Sequence, residues 1–320
     1  MGMTLINDSG VQAHLFRMQL EEEKMLGIAV AKTTIKVAPD GRLDYDMDEA
    51  IEVFDKPEDS PLGTFPPDSA IRKDKVDLFV MGHARSPQPV QACQVTLAVG
   101  DFHRSVQVFG RRAWVPTGRS YRASAPVPFT EMPLTWEYAY GGLASVREGE
   151  EVPNMDNQLG RGYILDPSRA EGVELPCLED PDCLIQRVED QPRPICFAPL
   201  AMGSWLQAEN TYRERPDTLE TEPLPSMFNF AHPKHRIDAL HPGALISLTG
   251  ATLEPFRFVM PNLNIMAEVT LENRRYEFNG VIDGLYLFPD TRRALIVHRV
   301  SFTYSYIREE IRRTRLVFRH

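Results

Sequence analysis

The stretch Val90-Gln91-Ala92-Cys93-Gln94-Val95-Thr96-Leu97-Ala98-Val99-Gly100-Asp101-Phe102-His103-Arg104-Ser105-Val106-Gln107-Val108-Phe109 reads as a β-hairpin. Cys93, Val95, Leu97 and Val99 alternate with polar or small residues, so a period of two turns one apolar face toward a core. Gly100-Asp101 reverses the chain, and Val106 and Val108 resume the same face.

Working outward, the same signals recur on both sides. Phe16–Leu20 and Leu26–Val37 are rich in apolar and β-branched residues, and Asp40-Gly41 turns the chain before Leu43–Tyr45. Val76–Met81 is a nearly continuous apolar run, as expected of a buried strand. Downstream, Ala244–Leu248, Phe256–Met260, Ile265–Leu271, Val281–Phe288 and Ala294–Tyr306 read as strands. Helical periodicity is scarce, with Pro181–Val188 and Ile307–Arg313 as the best short candidates.

Proline divides the chain. Eighteen of the 26 prolines fall between Pro116 and Pro261, and none occurs before Pro39 or after Pro289. Proline lacks a backbone donor and is confined to turns, strand edges and first helical turns. The expectation is an all-β fold, antiparallel and sandwich-like, with long proline-rich loops and few short helices. Residues 1–320 read as a single β-rich unit, with strand-rich flanks 1–115 and 244–306 around a loop-rich centre 116–243. A loop-rich centre of this size is usually functional or wrapped against the rest of the fold.

Composition bounds the function. The 320 residues carry 35 Lys and Arg against 45 Asp and Glu, a net charge of -10. Phosphate binding draws on clustered positive charge, so nucleic acid and anionic lipid are not expected partners. No apolar run approaches the roughly 18–20 residues that span a bilayer, and no secretory signal is visible at the N-terminus. Four irregularly spaced cysteines suit reduced thiols, so the expected location is the cytoplasm.

Catalytic and phosphate-binding motifs are missing from the sequence, and no cofactor is implied. Three clusters call for a weighing of roles. His232, His235 and His241 lie close in sequence, but His232-Pro233 and His241-Pro242 are stiff loop dipeptides, so exposed loop histidines are expected over a zinc site. Cys177, Cys183 and Cys196 lack paired knuckles and read as buried or half-buried structural thiols. Glu137 stands among the aromatics of Leu134-Thr135-Trp136-Glu137-Tyr138-Ala139-Tyr140-Gly141-Gly142. It reads as a core carboxylate held by Arg111, Arg112 or Arg161, with a general acid as the alternative.

An ordered series of motifs carries a resemblance. It runs from Lys73-Asp74-Lys75-Val76-Asp77-Leu78 through Gly82-His83-Ala84 to Val106-x-Val108-Phe109-Gly110-x-Arg112-x-Trp114. It continues with Pro133-Leu134-x-Trp136-Glu137-x-Ala139-Tyr140-Gly141-Gly142, then Asn157-x-x-Gly160-Arg161-Gly162-Tyr163, Leu175-Pro176-x-Leu178-Glu179-Asp180-Pro181, Trp205 and Phe228-Asn229. The series resembles a domain-of-unknown-function family encoded in type VI secretion gene clusters, whose members are regarded as effector adaptors or chaperones. Arg111 stands where that family usually has an acid. The resemblance implies no catalytic residue.

It implies instead a cytoplasmic adaptor whose partners are a secreted effector and the spike and tip proteins. Trp114, Trp136 and Trp205 could line a binding groove, with core aromatics as the alternative. Tyr140, Gly141, Gly142 and Arg161 complete the candidate motif residues. Arg308, Arg312, Arg313, Arg315 and Arg319 make a basic C-terminal segment that could dock an acidic partner, with a solvated tail as the alternative. A glycan-active β-sandwich enzyme using Glu137 as acid or base is the competing class.

Overall fold

The structure is a computed structural model that describes residues 3–21, 23–46, 48–70, 72–147, 149–200, 228–271, 274–305 and 312–318. Its longest strands, Lys24–Val37 and Arg293–Ser305, pair antiparallel over their whole length. Both lack proline, and alternate residues leave on opposite faces. Leu26, Ile28, Val30, Leu295 and Val297 enter one core, while Ile35, Val37, Ala294 and Ile296 enter another. Burial on both faces makes these strands the middle of the molecule.

Around them a seven-stranded sheet runs in the order Arg236–Ile237, Val76–Val80, Val281–Phe288, Arg293–Ser305, Lys24–Val37, Gln12–Glu21, with Leu43–Tyr45 also on Lys24–Val37. A five-stranded sheet, ordered Leu178–Glu179, Phe102–Phe109, Ala92–Val99, Leu245–Thr249, Phe256–Val259, packs over one end of one face. Val95, Leu97, Val106, Val108, Ile246 and Phe258 meet Ile35, Val37, Leu285 and Ile296 there, forming the sandwich core. Farther along the same face, Ala29, Ala31, Val300, Phe302 and Tyr304 pack against Ile265, Ala267, Val269 and Leu316. Those last residues belong to a four-stranded sheet, ordered Thr4–Asp8, Arg312–Phe318, Ile265–Leu271, Arg274–Asn279. Each large sheet thus takes strands from both proline-poor flanks.

The fold is all-β and mostly antiparallel, as its sequence patterning leads one to expect. Parallel pairs occur between Val76–Val80 and Val281–Phe288, between Thr4–Asp8 and Arg312–Phe318, and between Tyr140–Gly141 and Arg161–Gly162. Helical structure among the described residues consists of short 3-10 turns such as Trp136–Tyr138 and Pro233–His235. No helix among them is long and apolar enough to cross a membrane.

Two expectations need correction. Pro181–Val188 is not helical, because its backbone donors go to carboxylates instead of to carbonyls four residues back. Ile185 N–H donates to Glu179 at 2.8 Å, and those of Gln186 and Arg187 donate to Asp190 at 2.8 Å each. The second candidate helix falls partly outside the described residues, and Arg312–Phe318 is a strand between Thr4–Asp8 and Ile265–Leu271. Strand structure therefore extends past residue 306. Arg315 pairs with Asp8 at 2.5 Å, so this part of the basic segment is a sheet element and not a solvated tail. Arg308 and Arg319 lie outside the described residues.

Candidate functional site

The quoted motifs converge on three polar hubs that fasten the loop-rich centre to the sheets. The first is Asp77, fully buried in Val76–Val80. Its carboxylate accepts from Lys73 Nζ at 2.9 Å, from Asn229 Nδ2 at 2.9 Å, and from the backbone N–H groups of Phe230 (3.0 Å) and Ala231 (3.2 Å). Arg236 closes the ring by donating to the carbonyls of Ala231 (2.8 Å) and Asn229 (3.2 Å). A buried carboxylate needs this many donors, since each replaces a lost water.

The second hub is the buried ion pair of Arg112 and Glu179. Arg112 also donates to Pro176 O at 2.9 Å and lies 3.8 Å from the centre of the Phe109 ring. Burial pushes the Glu179 carboxyl up, against the opposing pull of Arg112 and of the Ile185 N–H.

The third hub surrounds Trp136. Its indole N–H points at the carbonyls of Ala198 (3.2 Å) and Pro199 (2.5 Å). Buried Asn157 donates from Nδ2 to Trp136 O at 2.8 Å and Tyr140 O at 3.0 Å. Glycine is required here because the backbones touch. A Cβ on Gly160 would meet Asn157 Nδ2 at 2.4 Å, and one on Gly141, with φ of 142°, would meet Asn157 O at 2.1 Å. Gly142 has φ of 88° in the same knot. Arg161 runs along its rim, donating to Glu137 O at 2.8 Å and pairing with Glu174 at 2.7 Å, with its guanidinium 4.4 Å from the Tyr138 ring centre.

Several expectations change in light of this geometry. Glu137 is exposed, and its backbone carbonyl, not its carboxylate, engages Arg161. The 3-10 turn Trp136–Tyr138 buries the indole and turns the next side chain outward. The buried acid held by Arg112 is Glu179. Glu137→Ala should therefore shift the denaturation midpoint by no more than about 0.5 kcal/mol in folding stability, as usual at exposed positions away from caps and cores.

Trp114 and Trp136 line no common groove. Trp136 belongs to the sandwich core, whereas Trp114 packs with Tyr140, Ile164, Leu175 and Ile185 in a separate cluster. Both are core aromatics, and Trp205 lies outside the described residues. Burial pushes the Tyr140 hydroxyl up, keeping it a neutral phenol.

Of the three histidines, only His241 is exposed. His232 caps the turn Pro233–His235 by accepting from Lys234 N–H at 3.2 Å. That turn swings His235 beneath Phe197, where the rings stack at 4.3 Å and Nδ1 meets Cys196 O at 3.1 Å. Burial pushes His232 down to about 4 and His235 well below its usual range. Among the described residues, no group of three or more His, Cys, Asp or Glu is arranged to hold a metal ion. All four cysteines are free; Cys177 and Cys196 are buried, but Cys183 is exposed, contrary to its expected place. Burial pushes the Cys196 thiol up to about 12.

Asp77, Asn157 and Glu179 stand in the quoted motifs, yet nothing singled them out as working residues. An acid within the apolar run Val76-Asp77-Leu78-Phe79-Val80 was the available signal. A charge there must be paired to be buried.

The family model described as "Uncharacterized protein conserved in bacteria (DUF2169)" matches residues 21–299. No curated protein and no solved structure matches the chain.

Proposed function

The chain belongs to the DUF2169 family, and from that membership we propose that it is a non-enzymatic adaptor or chaperone. It binds a type VI secretion effector in the cytoplasm and helps load it onto the spike complex. The reading draws on the likeness of its motifs to proteins encoded in type VI secretion clusters. The observation that carries it is the use made of the motif residues. Asp77, Arg112, Glu179, Trp136 and Asn157 are spent holding a long loop layer against a sheet sandwich. Such a scaffold presents an ordered irregular surface, which suits recognition of one partner.

Loading requires later release, so the complex must be strong yet reversible. An affinity between micromolar and nanomolar, about −8 to −12 kcal/mol, meets both demands. Affinity purification of the tagged chain from cells with an intact secretion cluster should recover a toxin or its spike-linked segment. Recovery of no cluster-encoded partner overturns the proposal. Robust glycan hydrolysis by the purified chain, lost in Glu137→Gln, would replace it with the enzyme reading.

A further inference from the structure

The chain's negative charge is unevenly placed. Residues 141–200 hold twelve Asp and Glu against five Arg and no Lys, a net −7 of the chain's -10, although Glu179 pairs with Arg112, and Asp180 and Asp182 with Lys234, outside the stretch. The same stretch carries apolar side chains that no core takes up. Leu143 is 55% exposed, Met155 59%, Leu159 54% and Leu165 41%.

Hydrogen bonds bring the segments bearing these four residues together. Leu143–Arg147 and Glu150–Pro153 form a hairpin in which Leu143 stands opposite Pro153. Gly142 N–H donates to Asn157 O and Asn154 N–H to Gly142 O, both at 2.8 Å. Arg169 Nη1 donates to Ser145 Oγ at 3.3 Å, tying the turn after Leu165 to the hairpin. Arg147, Arg161 and Arg169 each face an acid: Glu150 at 3.9 Å, Glu174 at 2.7 Å and Asp166 at 3.6 Å. Exposed Glu151, Asp156 and Glu171 are left as surplus negative charge, in no ion pair among the described residues.

Resting on the adaptor reading, we infer that this face, centred on Leu143, Met155, Leu159 and Leu165, docks a cationic segment of the partner protein that also bears large apolar side chains. Apolar contact supplies affinity, and opposite charge supplies steering and selectivity. The charge also decides among occupants. A second copy would oppose acid to acid in a two-fold contact, and anionic lipid or nucleic acid would be repelled.

The test uses the full chain and fluorescein-labelled amphipathic peptides, read by anisotropy. A lysine–leucine peptide should bind about tenfold more tightly than a lysine–serine peptide, and more weakly as salt rises. Leu143→Ser/Met155→Ser and, separately, Glu151→Lys/Asp156→Lys should each weaken it about tenfold, whereas Leu253→Ser, exposed elsewhere, should not. All of these changes lie on exposed side chains, so the fold is retained. Equal binding of the two peptides, or indifference to both patch variants, overturns the inference. So does a dimer in sedimentation that either patch variant dissociates, since that places a second copy on this face. The adaptor reading is tested separately by capture of the toxin. A patch variant that holds a captured toxin as well as wild type does overturns the surface and leaves the adaptor. Peptide binding that behaves as expected while wild type captures no toxin overturns the adaptor and leaves the surface.

Discussion

Asp77→Ala is expected to cost about 3–5 kcal/mol of folding stability, the scale seen when one partner of a buried ion pair is removed. The substitution leaves the Lys73 ammonium, one N–H of the Asn229 amide and two backbone N–H groups without their acceptor in a buried site. Asp77→Asn keeps one acceptor oxygen but loses the charge, so it should fall between alanine and wild type. Chemical denaturation with matched m-values gives the comparison. Loss of less than about 1 kcal/mol in Asp77→Ala would show that the hub does not fasten Asn229–Ala231 to the central sheet.

Acid is expected to cost folding stability already between pH 6.5 and about 4. His298 is buried on the Arg293–Ser305 strand between the two cores that share one face of the central sheet. Burial pushes its imidazole from 6.5 down to about 4, against the opposing pull of Asp283 and the Leu263 backbone. In that interval the unfolded chain binds the proton and the folded chain does not. Stability is therefore full above the unfolded value and falls as pH drops from 6.5 toward 4. The lowered value corresponds to roughly 3 kcal/mol from His298 alone, at about 1.4 kcal/mol per pH unit. His232 and His235 act in the same sense, whereas Glu179, raised by burial, acts in the opposite one. Urea midpoints measured from pH 7.5 downward should fall steadily, and His298→Gln should remove about one proton from the slope. An unchanged slope in that variant would contradict the burial argument.

The strands were legible because their signals are local. Cys93 to Val108 alternate with a period of two, and Lys24–Val37 and Arg293–Ser305 are long stretches rich in apolar and β-branched residues and free of proline. Which strands lie side by side depends on contacts between distant residues. The parallel pairing of Val76–Val80 with Val281–Phe288 has no local signal for that reason. The exposure of Glu137 has no local signal, because a three-residue turn decides whether a side chain among aromatics points in or out. The same limit applied to His235, which Pro233 carries into the core. The converse held for Arg112. Its place before Trp114 was plain, but its partner Glu179 comes from a strand 67 residues away.

The adaptor reading is tested most directly by delivery. A strain lacking this gene should secrete its spike proteins normally and lose delivery of one toxin, measured by killing of a sensitive neighbour and by the toxin's presence outside the cell. Restoring the wild-type chain should restore that toxin. Equal loss of every secreted substrate, or unchanged delivery of all of them, would contradict a dedicated adaptor.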